Sequence, residues 1–101
     1  MANPYNGEVS LADGDKTWTL CLTINSICDV EEETGQDLMG SLRKLSTLRL
    51  MLYAALKAKH PGITRVEAGD IIVSAGAARV TDAVMKAIAL AFPKAETKAN
   101  P

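Results

Sequence analysis

The hydrophobic pattern of this chain changes its period at Thr23, and that change limits the fold more than any other feature. Before it, GEVSL (7–11) and KTWTLCL (16–22) alternate apolar and polar residues, as a strand with one buried face does. After it, apolar residues recur every three or four positions, which is the helical period. The sequence therefore predicts an α+β protein that is mainly α, with an N-terminal β-hairpin packed on a bundle of four to five short helices.

The two alternating segments flank Asp13-Gly14, a dipeptide suited to a tight turn because glycine adopts positive φ without steric cost. Pairing across this turn places most apolar side chains on one face of the hairpin: Val9, Leu11, Trp18, Leu20 and Leu22. The opposite face carries Thr17, Thr19 and Cys21. A lone hairpin is marginal in water, so the helices must cover its apolar face.

Capping residues mark the first helices. Thr23 is a candidate N-cap, and Gly35 is placed to end the helix that follows it. The apolar stripe predicted for this first helix comprises Ile24, Ile27 and Cys28. Asp37 is placed to cap a second short helix, DLMGSLRKL (37–45). Both helices are short, so their stability must come from packing.

The segment LRLMLYAALKAKH predicts the most apolar helix, from Ser46 or Thr47 to His60, where Pro61-Gly62 stops it. A full core stripe is supplied by Leu48, Leu52, Ala55 and Leu56. The rest of the circumference is also apolar, so this helix is either central in the domain or half exposed to another chain. On the second alternative, the face left over supplies the candidate partner-binding residues: Leu50, Met51, Tyr53 and Lys57.

Two further helices follow. Thr64-Arg-Val-Glu67 is a capping-box sequence and predicts a helix from Arg65 to Ala75. Its predicted stripe is Ala68, Ile71, Ile72 and Ala75. After a break near Gly76, helical spacing predicts a last amphipathic helix with the apolar residues Val80, Ala83, Val84, Ala87, Ile88, Ala91 and Phe92. Asp82 and Lys86 are spaced to pair on its polar side.

A chain of 101 residues has room for one core, so we expect a single domain over 1–93 and a solvated tail over 94–101. With 11 basic and 12 acidic residues and no basic stripe, the sequence argues against a nucleic-acid partner. The start MANPYNGEVS lacks the features of a secretion signal, and the longest apolar run is too short to span a membrane. The expectation is a cytoplasmic protein with no membrane partner.

The residues able to support catalysis or bind a metal do not form a known motif. Cys21 and Cys28 lie seven apart on different predicted elements, which favours buried reduced thiols over a zinc site. The position of His60 at a helix C-terminus favours a capping role. The acidic run 31–33 fans around a short helix and favours a solvated face, with an acidic docking surface for a basic partner as the alternative. We therefore expect no enzyme, cofactor or metal; the alternative is a small regulatory or metal-dependent enzyme built on these groups.

Four segments together resemble one family: NPYNGEVSL, TLCLTINSICDVEEETGQDL, LRLMLYAALKAKHPGITRVEAGDII and VMKAIALAFP. The most specific parts are the LxLTIN junction between strand and helix, the ExxTG sequence, and HPxIT followed by EAGDII. In this order over residues 3–93, the chain resembles the gene-transfer-agent type of phage tail assembly chaperone. These are small proteins encoded in the tail gene clusters of prophages and gene transfer agents.

The resemblance implies a non-enzymatic protein with no catalytic residues and no cofactor. Its implied partner is the tape-measure protein, held during tail assembly in the host bacterial cytoplasm, with tail tube subunits and further copies of the chain as other partners. The alternative within the same system is a minor structural tail component that stays in the finished particle. A tube subunit needs a large β-sheet, which a single hairpin does not supply.

Overall fold

The computed structural model describes residues 3, 6–35 and 44–92, and within them two strands precede four helices. In chain order the elements are β1 (Glu8–Asp13), β2 (Lys16–Cys21), α1 (Ile24–Thr34), α2 (Leu45–Lys57), α3 (Arg65–Ala75) and α4 (Ala77–Ala91). This confirms the predicted α+β, mainly α class with an N-terminal hairpin. The helix predicted over 37–45 lies almost entirely outside the described residues, as does the tail predicted over 94–101.

Strands β1 and β2 form the predicted antiparallel hairpin. Leu11 pairs with Trp18 and Asp13 with Lys16, which leaves Gly14 and Asp15 as the two turn residues. Gly14 has a φ of 61°, whereas no other residue type among those described has positive φ. Glycine at the first turn position is the requirement of a type II′ hairpin turn. The predicted inner face is confirmed, because Leu11, Leu20 and Leu22 are buried and Val9 and Trp18 pack against the core.

Helix α2 occupies the centre of the molecule. It contacts α1, α3, α4 and β2, so side chains around most of its circumference meet another element. Its buried residues are Thr47, Leu48, Leu50, Met51, Leu52, Ala55 and Leu56. Of the two alternatives for this apolar helix, the structure confirms the central one.

The C-terminal end of α2 differs from the prediction. The helix ends at Lys57 rather than at His60, and the backbone N–H of His60 donates to the Leu56 carbonyl at 2.8 Å. The His60 ring is turned to the hairpin, where Nε2 accepts a hydrogen bond from the Thr19 N–H at 3.3 Å. The ring also packs edge-on against Trp18, with centroids 5.0 Å apart. The predicted capping role is therefore wrong: the side chain joins α2 to β2.

Helix α1 begins and ends where predicted, but its buried face is different. The Thr23 hydroxyl accepts from the Ser26 N–H, and Gly35 ends the helix with a φ of 69°. Ile27 and Val30 are buried, whereas Cys28 is exposed and Ile24 is 39% exposed. In a helix of 3.6 residues per turn, Val30 points well away from the Ile24–Cys28 side. The predicted stripe is therefore wrong in its orientation.

Helices α3 and α4 follow the prediction closely. The Thr64 side chain accepts from the Glu67 N–H while the Glu67 carboxylate accepts from the Thr64 N–H, which completes the capping box. Gly76 separates the two helices with a φ of 98°. The inner face of α4 is buried as predicted at Val80, Ala83, Val84, Ala87 and Ile88. The prediction is wrong for Phe92, which follows the end of the helix and is 44% exposed. The predicted pair of Asp82 and Lys86 forms at 3.2 Å.

An ion pair joins the segment after α2 to the first strand. Lys59 Nζ lies 2.8 Å from Glu8 Oε2, and the other carboxylate oxygen of Glu8 accepts from the Asn3 N–H at 2.9 Å. The hydrogen bond from Lys59, followed by that from Asn3, holds the pKa of Glu8 below its ordinary value of 4.5. The Glu8 carboxylate in turn raises the pKa of Lys59.

We predict that Glu8→Gln lowers the melting temperature near neutral pH and that this difference disappears in acid. Because the folded pKa of Glu8 is lowered, its stabilisation is complete above the ordinary value of 4.5 and is lost as the pH falls through the folded value. Thermal unfolding of both proteins from about pH 7 to about pH 2 measures the gap, in a range where Glu8 titrates. Glu32→Gln is the matched control, since Glu32 is exposed and forms no ion pair with any residue that the structure describes. A gap that is constant with pH would contradict the assignment.

Candidate functional site

Three of the four predicted partner-binding residues line one groove between α1 and α2. The groove has a volume of about 110 Å³. Helix α2 lines it with Leu50, Tyr53, Ala54 and Lys57, and α1 lines it with Ser26, Asp29, Val30 and Glu33. Arg65, the first residue of α3, also contributes to the lining. We call this site the α1–α2 groove.

The two walls of the groove share one spacing. The four residues from each helix occupy positions i, i+3, i+4 and i+7, which form a single stripe on a helical surface. The α1 stripe is set by the Thr23 cap, because the cap fixes where the helix begins. The α2 stripe is set by the central position of that helix. Each wall is therefore positioned by a helix and not by a loop.

Tyr53 is the aromatic centre of the groove. The Lys57 Nζ lies 5.3 Å from the centre of its ring, and the Arg65 Cζ lies 5.5 Å from the same point. Both distances are within the range of cation–π attraction. The ring is partly buried against the core, so its orientation is held while one part stays accessible.

Arg65 is held from a second side by Glu33. Its Nη1 lies 3.0 Å from Glu33 Oε2, and its Nη2 donates to Glu33 Oε1 at 3.2 Å. The two side chains are 49% and 50% exposed, so this pair contributes little to the free energy of unfolding. The two-point geometry nevertheless fixes the plane of the guanidinium group. The pair therefore orients Arg65 beside Tyr53 more than it stabilises the fold.

The predicted partner-binding residues divide into two groups. Met51 is fully buried and Leu50 is 9% exposed, because neighbouring elements cover α2 on these sides. The expectation of a surface position is therefore wrong for Met51, which is a core residue, while Leu50 forms part of the groove floor. Tyr53 is half-buried and Lys57 is exposed, both in the groove. Their role in binding a partner stays a prediction.

The sequence did not predict that three charged residues, Asp29, Glu33 and Arg65, converge on the groove. Asp29 and Glu33 belong to an acidic segment that suggested carboxylates fanning in several directions. Asp29 and Glu33 are four residues apart, as Ser26 and Val30 are. This spacing is the sequence signal that places all four residues on one face of α1. Arg65 lies 32 residues beyond Glu33, and only the packing of α3 brings the two together.

The candidate groups for metal or thiol chemistry remain apart. Within residues 3, 6–35 and 44–92, no three His, Cys, Asp or Glu side chains are grouped to hold a metal ion. Cys21 is partly buried, with its thiol 3.7 Å from the Asn6 carbonyl oxygen, and Cys28 is exposed. The prediction of buried thiols is therefore wrong for Cys28. The His60 ring nitrogen Nε2 is occupied by the backbone of β2.

The chemistry of the groove is that of a binding surface. Val30, Leu50 and Ala54 give it an apolar floor, with Tyr53 beside them. Within the described part of the chain neither Asp29 nor Lys57 forms an ion pair, and the Lys57 ammonium group lies over the Tyr53 ring. A ligand with apolar groups and charges of both signs can therefore satisfy both walls.

We predict that Met51→Ala and Lys57→Ala differ sharply in stability. Met51→Ala removes a fully buried side chain and lowers the free energy of unfolding by about 2–5 kcal/mol. Lys57→Ala changes an exposed side chain and shifts it by less than about 0.5 kcal/mol. Urea denaturation of the two variants and the parent protein measures both values. Equal, small effects would show that Met51 is accessible in solution.

No helix in the described ranges is long and apolar enough to cross a membrane. In comparisons with known proteins, no family model, no curated sequence and no solved structure matches the chain.

Proposed function

We propose that this protein is a tail assembly chaperone, without enzymatic activity, that binds a helical segment of the tape-measure protein in the α1–α2 groove. Binding is transient and takes place in the host bacterial cytoplasm while the tail is assembled. The proposal is supported by the resemblance of residues 3–93 to the gene-transfer-agent type of tail assembly chaperone. It is also supported by a groove whose chemistry suits a protein ligand.

The observation that carries the proposal is the position of Tyr53. Its ring lies within cation–π distance of both Lys57 and Arg65, at the edge of an apolar floor. Tyrosine and arginine are the residue types enriched at the energetic centres of protein interfaces. A ring already held in place loses little conformational entropy when a partner binds. Tyr53 therefore has the properties of an anchor residue.

The shape of the groove favours a helix as its ligand. Two helical stripes border it, and α1 with 11 residues is about 16 Å long, which matches about three turns of a partner helix. An amphipathic helix in a groove places its apolar residues at i, i+3, i+4 and i+7. Asp29 on one wall then selects a basic residue at the edge of that stripe, and Lys57 on the other wall selects an acidic one.

A minor structural tail component is the second candidate function. In the described ranges the sheet has only two strands, which is far from the large sheet of a tube subunit. A structural component remains in finished particles, whereas an assembly chaperone is released. Mass spectrometry of purified particles separates the two, because the proposed chaperone is absent from particles whose tape-measure protein is detected.

We predict that the protein co-purifies with its tape-measure protein after co-expression and that Tyr53→Ala weakens this binding by about tenfold or more. Tyr53→Phe, the matched control, keeps the ring beside the two cations and retains the binding. Asp29→Lys tests the α1 wall of the groove. Asp29 is exposed, so the folding of this variant is unaffected, while its affinity for a partner helix with a basic edge residue falls. Titration calorimetry measures the affinities and thermal unfolding checks the folding of each variant. Absence of any association, or full affinity in both Tyr53→Ala and Asp29→Lys, would sink the proposal.

A further inference from the structure

A second exposed apolar surface lies along α3, on residues other than those that line the α1–α2 groove. Val66 is 69% exposed and Val73 is 84% exposed, although both are large apolar residues. Leu45 at the start of α2 is 65% exposed, and it lines an open groove of about 320 Å³ with Ile72 and Val73. We call Leu45, Val66, Ile72 and Val73 the α3 stripe. Three exposed apolar residues, with the half-buried Ile72 beside them, exceed the scattered exposure that a surface normally shows.

Opposite charges lie on the two edges of the α3 stripe. Val66 and Val73 are seven residues apart and so lie nearly in line along the helix. Viewed down the axis of α3, Gly69 lies about 60° to one side of Val66, and Asp70 lies about 40° to the other side. The Gly69 side is the side of Arg49, because both residues line the groove between α2 and α3. The stripe therefore has Arg49 on one edge and Asp70 on the other.

Gly69 brings the stem of Arg49 close to the height of Asp70 along the stripe. A Cβ atom at Gly69 would lie 3.3 Å from Arg49 Cδ, so glycine allows the arginine stem to lie close against α3. Asp70 is the next residue after Gly69 and is exposed. Within the described ranges neither Arg49 nor Asp70 forms an ion pair. Both charges are thus available on either side of an uncovered apolar line.

This arrangement is self-complementary. In a two-fold contact, each residue pair occurs twice, with the roles of the copies exchanged. If the two-fold axis runs along the stripe, the two α3 helices lie side by side in the same direction. The Arg49 edge of each copy then faces the Asp70 edge of the other. Val66 and Val73 meet their own counterparts near the axis, in the spacing of β-branched residues at the a positions of parallel helix pairs.

We propose that the α3 stripe binds a second copy of this chain in a parallel two-fold contact, with Arg49 of each copy paired to Asp70 of the other. The two edges of the stripe carry opposite charges and therefore complement each other in a two-fold contact. This favours a second copy over an unrelated partner, whose binding would not require the two edges to match each other. The patch is small, so the dimer belongs to the weak class of interfaces and its population depends on concentration. This contact stands apart from the proposed function, since it uses other residues.

Charge reversal with complementation tests the pairing. Sedimentation equilibrium from about 20 μM to about 1 mM covers the range of weak association. The parent protein shifts from 10.7 kDa towards twice that mass as its concentration rises. Arg49→Asp and Asp70→Arg each reduce the association constant by about tenfold or more, because like charges then face each other. An equimolar mixture of the two variants associates again, and so does the double variant, because both arrangements restore opposite charges.

The controls separate this contact from folding and from the groove. Lys86→Asp reverses an exposed charge on α4 and leaves association unchanged. Tyr53→Ala also leaves it unchanged, while in Arg49→Asp and Asp70→Arg the α1–α2 groove keeps its affinity for a peptide that spans one helical segment of the tape-measure protein. A parent protein that stays monomeric at about 1 mM overturns the proposal. Failure of both the mixture and the double variant to associate overturns the Arg49–Asp70 pairing, and association only with an unrelated partner assigns the stripe to that partner instead.

Cross-linking tests the parallel direction. In a Cys28→Ser background, which removes the exposed thiol, Val73→Cys places a thiol near the two-fold axis. Mild oxidation then yields a disulfide-linked dimer in the parallel arrangement, and the Cys28→Ser protein alone yields none. Phe92→Cys is the negative control, because Phe92 is also an exposed apolar residue but lies outside the α3 stripe. Equal cross-linking from Phe92→Cys and Val73→Cys would refute the parallel contact.

Discussion

The burial of α2 on several sides is the constraint on which the rest of this structure depends. The helix contacts β2 and each of the other described helices, so it positions all of them at once. Each large apolar side chain moved from water into this core contributes about 1.5–3 kcal/mol, and α2 supplies Leu48, Met51, Leu52 and Leu56 at 2% exposure or less. Thr47 is its one buried polar residue in the described ranges. Among the described elements α1 packs mainly on α2, so an α2 with an ordinary polar face on that side would leave α1 without its main partner.

The hairpin is joined to the same helix through two residues in the segment that follows it, Lys59 and His60. A two-stranded sheet is marginal in water and has exposed backbone groups at both edges. Lys59 pairs with Glu8 on β1, and His60 accepts the outward N–H of Thr19 on β2. The Trp18 ring packs against His60, and its Nε1 donates to Asp13 Oδ2 at 3.1 Å. The end of α2 thus joins both strands to the helices by polar contacts, while the inner face joins them by burial.

The sequence predicted the features that depend on neighbouring residues. The Thr64–Glu67 capping box, the Gly35 helix end and the hairpin face are determined within a few positions, and all three are confirmed. The errors at Cys28 and Met51 concern the direction in which a helix turns its side chains. Cys28 and Met51 were misplaced because the rotation of α1 and the covering of α2 are set by packing between distant elements. For the same reason the groove could be predicted in part, at Leu50, Tyr53 and Lys57, whereas the approach of Arg65 to Glu33 could not.

Helix α2 contributes to both surfaces for which we propose partners. Leu50 lines the α1–α2 groove and Arg49 borders the α3 stripe, and these consecutive residues are turned by about 100° on the helix. A dimer formed through α3 carries two α1–α2 grooves. For a long helical partner with repeated segments, the second groove binds at a raised effective concentration, which increases the overall affinity without any new contact. On this proposal, self-association that is weak by itself is strengthened when both grooves of the dimer bind one such partner.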